Sequence, residues 1–161
     1  MKKISSLIIL FILLIYINAC TGYKPIFGST NLQFEITDYV LKGNKKLGNQ
    51  IYSKLYNLSK ANKDQTEVTS IYLNVKVSKD KNKTISDLAG KILGYKINLN
   101  TKIILKNYIT DNVILHQNFS FSSSYKVQNK YSETIKIENK LIDDLISKTF
   151  QELLVQLTKN I

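Results

Sequence analysis

The chain has 161 residues and a formal net charge of +11, and all 23 of its basic residues are lysine. That length makes one domain, and that charge favours anionic partners. A single cysteine and a single histidine exclude a disulfide framework and the usual zinc sites, which draw on several such ligands.

Lys2 and Lys3 open the chain, and an apolar run follows from Ile4 to Ile17. The run is shorter than the roughly 20 apolar residues that span a bilayer. Its charge-then-apolar layout is that of a secretory signal. It closes on Ile17-Asn18-Ala19-Cys20, with the only cysteine where cleavage is expected. This ending resembles the lipobox of bacterial lipoproteins. The resemblance implies loss of residues 1–19 as a signal peptide, a diacylglyceryl group on the Cys20 thiol, and an acyl chain such as palmitate on the freed amine. Each buried methylene contributes about 0.8 kcal/mol and a single acyl chain holds only marginally, so two or three chains anchor permanently. An uncleaved anchor with an incidental cysteine is the alternative. Residues 20–30 hold Pro25, the only proline, and two of the six glycines, which marks a lipidated tether. Residues 31–161 are left as a single domain, and nucleic acid is set aside for an exported chain.

Leu32 to Thr37 alternates apolar and polar and predicts a short, half-buried strand. Gly43 and Asn44 break the chain. From Lys45, the recurrence of Leu47, Ile51, Leu55 and Leu58 predicts a helix with one buried face, ending in the polar stretch 60–65. Val68 then opens a strand with Ile71, Leu73, Val75 and Val77 on one face and Tyr72, Asn74, Lys76 and Ser78 on the other. Lys79 to Lys83 reads as a polar turn. A second strand, Lys91 to Tyr108, sets Ile97, Leu99, Thr101, Ile103 and Leu105 against Lys96, Asn98, Asn100, Lys102 and Lys106. Asp111-Asn112 supplies a hairpin turn. The third strand, Val113 to Val127, puts Val113, Leu115, Phe119 and Phe121 on one side. Last comes a long helix, with Ser132 as its N-cap, Glu133 in its first turn, and an apolar stripe running from Ile135 to Leu157. The expected fold is α+β: a small, mostly antiparallel sheet of about four strands with two helices on one face, in the order β-α-β-β-β-α.

No catalytic constellation is visible, and the expectation is a protein that is not an enzyme and needs neither cofactor nor metal. His116 is predicted on the polar side of its strand without a nucleophile or carboxylate beside it. Asp143 and Asp144 are adjacent on a helix, so their side chains diverge by about 100°. Gly90 and Gly94 flank Lys91-Ile92-Leu93 without a phosphate-loop pattern and predict a bend or bulge. Two features are candidates for binding. Lys76, Lys79, Lys81 and Lys83 group ammonium donors that suit phosphates as point charges, and a solvated hairpin tip is the competing reading. The polar sheet face, to which Tyr72, Tyr95 and Tyr108 are assigned, is the other.

Cys20-Thr21-Gly22-Tyr23-Lys24-Pro25-Ile26-Phe27-Gly28 resembles the start of the lipopolysaccharide-assembly lipoproteins, the LptE family. There, glycine, an aromatic, any residue, proline, an aliphatic, an aromatic and glycine follow the lipidated cysteine. Thr21 is one residue more than that pattern contains. The resemblance implies a small sheet with two helices on one side. It also implies an outer-membrane, periplasm-facing protein that plugs and helps assemble the LptD barrel and assists delivery of lipopolysaccharide to the outer leaflet. On this reading the four lysines are the candidate lipopolysaccharide contacts. The competing function is an auxiliary lipoprotein of an ABC-type lipid-transport system.

Overall fold

The computed structural model describes residues 33–61 and 68–160. The signal segment, the lipidation site Cys20 and the tether 20–30 lie outside the described residues. The elements follow the order β1 (Phe34–Gly43), α1 (Lys45–Ala61), β2 (Thr69–Ser86), β3 (Ile92–Asn107), β4 (Val113–Lys126) and α2 (Tyr131–Asn160). This is the α+β order expected from the sequence.

The four strands form one sheet in the order β1-β2-β3-β4. β1 runs parallel to β2, with α1 as the crossover between them, and β2, β3 and β4 form an antiparallel meander. Both helices cover the same face: α1 lies over β1 and β2, α2 over β4 and β3, and the two helices touch. Ile51 and Leu55 of α1 and Ile146, Leu153 and Leu157 of α2 meet Leu73, Val75, Ile97, Leu99 and Ile103 in one core, all essentially inaccessible to solvent. Burying each of these side chains contributes roughly 1.5–3 kcal/mol, and no described helix covers the sheet's other face.

β1 is longer than the sequence predicts, and a bulge explains why. The pairing register slips between Ile36 and Asp38, leaving Thr37 unpaired. Phe34 and Ile36 therefore face the same side as Tyr39 and Leu41, and the simple alternation is lost at Thr37. The join from β1 to α1 is tight. Gly43 adopts φ +71°, the Asn44 amide donates to the Val77 carbonyl at 2.8 Å, and the Asn44 side chain caps the helix by accepting from the Leu47 amide at 3.2 Å.

Three further expectations change. Lys79 to Lys83 is strand, paired with Leu99 to Tyr95, and the turn comes later, at Asp87 to Gly90. Those residues are polar on both faces, which conceals a strand from a search for alternation. Gly94 does mark the bulge, since the register shifts on either side of its pairing with Ile85. The C-terminal helix begins before Ser132: the Thr134 amide donates to the Lys130 carbonyl, and the Thr134 hydroxyl accepts from the Gln128 amide at 2.8 Å. Val113, expected on the apolar side, is 57% exposed at the sheet's edge.

Candidate functional site

The meander outruns the helices that cover it. Every residue from Asp80 to Lys91 is exposed, so the distal part of β2 and the turn after it form an arm outside the apolar core, paired along one edge with β3, whose Gly94 and Ile97 stay buried. Core-facing parity continues into that arm, and it carries Lys79 and Lys81 onto the helix side, in line with Val75 and Val77. There they meet Glu138, whose position on the inward stripe of α2 is held by neighbours Thr134 and Ile142 one turn either side.

Glu138 keeps only 12% of its side chain exposed. Its Oε2 accepts from the Lys81 ammonium at 2.6 Å and from the Tyr125 hydroxyl at 2.5 Å, while Lys79 stands 4.0 Å from Oε1. The Lys81 ammonium also lies 4.2 Å from the centre of the Tyr95 ring, which leans on Tyr125 at 5.8 Å. Burial opposes the charge on Glu138, but hydrogen bonds from Lys81 and Tyr125 and the two ammonium charges outweigh it. Its carboxyl is held below its ordinary value of 4.5. Burial likewise opposes the charge on Lys81, and the bonds to Glu138 and Tyr125 reverse that, placing it above its ordinary 10.5. Burial and the bond to Glu138 push the Tyr125 hydroxyl up.

The pH dependence follows from these directions. Glu138 binds protons less readily folded than unfolded, so its contribution is complete well above 4.5 and is lost as pH falls from there through the lower folded value. Lys81 binds protons more readily folded, so its contribution is complete below 10.5 and lost only as pH rises beyond that. Denaturant midpoints of the domain against those of Glu138→Gln are expected to differ across the neutral range and to converge as pH falls from 4.5 through the lower folded value. A gap that persists unchanged in acid would contradict the assignment.

The four candidate lysines therefore do not form one site. Lys79 and Lys81 are committed to Glu138 on the helix side. Lys76 faces the open side, paired with Lys102, and Lys83 pairs with Tyr95 further out on the arm. The three tyrosines are also separated: Tyr72 faces the open side, Tyr95 packs in the Glu138 cluster, and Tyr108 sits in the β3–β4 turn. His116 lies on the open face opposite Ile104, and Asp143 receives a 3.4 Å bond from the Gln50 amide on the exposed helix surface. Sequence inspection missed Glu138. Its one signal is placement, four residues before Ile142 and seven before Leu145 on the buried stripe.

No protein-family model matches the sequence, and no curated protein matches it. Solved structures do match its shape. The solution structure of lipoprotein B from Nitrosomonas europaea superposes with a TM-score of 0.57 at 15% identity, covering 85% of this chain and 90% of that one. A minor lipoprotein from Acinetobacter baumannii gives 0.56 at 14% identity, with 81% and 92% covered. The rare lipoprotein B of Shewanella oneidensis gives 0.52 at 10% identity, with 76% and 95% covered. The chain has the rare lipoprotein B, or LptE-like, fold. At such identities the likeness concerns fold, and the LptE-like arrangement of sheet and helices is what these chains share.

Proposed function

We propose that this protein is a non-enzymatic lipoprotein of the outer membrane, facing the periplasm and anchored through acylated Cys20. It occupies and helps assemble an LptD-like barrel and assists lipopolysaccharide delivery to the outer leaflet. One observation carries the reading: the Cys20 to Gly28 run stands ahead of a domain with the LptE-like fold. Two acyl chains hold such a domain at a membrane surface, and lysine-rich surfaces suit phosphorylated glycolipid. Of the four candidate lipopolysaccharide contacts, Lys76 and Lys83 carry no ion pair among the described residues, whereas Lys79 and Lys81 are engaged with Glu138.

The test is a tagged, full-length protein extracted from outer membranes in mild detergent, with its partner identified by mass spectrometry. A large outer-membrane barrel is expected to co-purify, and Cys20→Ala is expected to move the protein out of the membrane fraction and to abolish the capture. If the wild-type protein leaves the detergent alone and its depletion leaves barrel assembly unchanged, the reading fails. Fractionation with the inner membrane, together with an ATP-driven transporter, would favour the auxiliary-lipoprotein alternative.

A further inference from the structure

The open face of the sheet holds a feature that neither the Glu138 cluster nor the lipid anchor uses. Lys42 of β1 is paired with Lys76 of β2, and Lys76 is paired with Lys102 of β3. Paired residues point to the same side of a sheet and stand about 5 Å apart. Three ammonium side chains thus form one row across three strands, continued by Asn118 on β4. All three lysines are exposed, and no ion pair among the described residues includes any of them. Of the carboxylates that the register places on this face, Asp38 and Asp80 stand four residues along their strands from the row, roughly 13 Å away, and Glu35 lies farther along β1. Like charges placed directly opposite in a sheet destabilise it, and no ion pair among the described residues offsets that repulsion.

The surroundings indicate what relieves it. A shallow depression of about 270 Å³ beside the row is lined by Lys76, Lys102, Ser78, Asn100, Asn118 and Ser120. Beyond it the face continues as Asn98 with Ser122 and Lys96 with Ser124. Thr101 and Phe119 also line the depression, and none of the large apolar side chains exposed elsewhere lies between the lysine row and Ser124. A broad, flat field of amides, hydroxyls and ammonium groups matches a polar protein wall of opposite charge.

We propose that the Lys42–Lys76–Lys102 row docks on a carboxylate-bearing patch of a partner protein, the inward-facing polar wall of the barrel. This inference rests on the barrel reading and names the face of the domain that meets it; walls facing a barrel interior are polar. Docking places Asp and Glu side chains between the ammonium groups and converts their mutual repulsion into attraction.

Zero-length carbodiimide coupling in native outer membranes tests it, because that reagent joins an ammonium to a carboxylate only where the two touch. Lys76 and Lys102 are expected to be found joined to Asp or Glu of the co-purifying barrel. The triple variant Lys42→Gln, Lys76→Gln, Lys102→Gln is expected to unfold at the same or a higher temperature than the wild type, yet to capture the barrel about tenfold less at low salt. A role confined to folding would move both readings the same way. If the wild type captures the barrel and the triple variant captures it equally, this inference falls and the barrel reading stands. If the wild type captures no barrel, both fall together. If the variant captures the barrel normally but loses binding to vesicles containing lipopolysaccharide, the row serves phosphates and the proposal is overturned.

Discussion

Gly43→Ala is expected to destabilise the domain by about 3 kcal/mol or more, from two additive causes. A left-handed backbone costs a residue with a Cβ about 1–2 kcal/mol, and Gly43 sits at φ +71°. The added Cβ would also lie 2.2 Å from the Val77 carbonyl oxygen. That oxygen cannot simply move, since it accepts the Asn44 amide at 2.8 Å and Asn44 caps α1. Relieving the clash therefore disturbs the β1–β2 pairing and the helix start together. Urea unfolding should show a lower midpoint with an unchanged slope. Gly43→Asn separates the causes, because asparagine tolerates the left-handed region while carrying the same Cβ. A loss below about 1 kcal/mol for alanine would refute the close approach.

Glu138→Ala is expected to cost about 2 kcal/mol, since hydrogen bonds to a charged group contribute about 1.5–3 kcal/mol. The substitution strands the Tyr125 hydroxyl, which is buried, and removes the carboxylate that two lysines share. The expectation stays below the 3–5 kcal/mol of a fully buried broken pair, because the Lys81 side chain is 34% exposed and water screens it. Glu138→Gln keeps an acceptor of the same shape and should cost about half as much. Equal costs for both variants would show that packing, not charge, sustains the cluster.

The fold was largely legible because most elements have one wet face and one dry face. Ile71 to Val77 and Ile97 to Leu105 keep strict alternation, and Leu47, Ile51 and Leu55 keep helical spacing, so burial and periodicity agree. What escaped notice lies where that agreement stops. Thr37 bulges and shifts the parity of β1. Lys79 to Lys83 is strand without an apolar face, because its helix-side residues are lysines, two of which, Lys79 and Lys81, meet the Glu138 carboxylate far along the chain. Long-range satisfaction of a buried charge leaves no periodic trace. The candidate site was less legible for the same reason. The lysines were visible as a group in sequence, but strand parity divides them between opposite faces, and Lys76 finds its neighbours in Lys42 and Lys102, residues on other strands.

The arm beyond Val77 has its own thermodynamics. The body of the domain is held by apolar burial spread over two helices and four strands. The arm from Asp80 to Lys91 contributes almost nothing to that burial, so apart from its backbone ladder a single carboxylate ties it to α2. Segments with few buried contacts open below the global free energy. Protonating or occupying Glu138 would therefore loosen the tie between the arm and α2 while the backbone pairing of β2 with β3 holds. The Glu138 catch grips the arm at Lys81, five residues, or roughly 17 Å of strand, before β2 ends at Ser86.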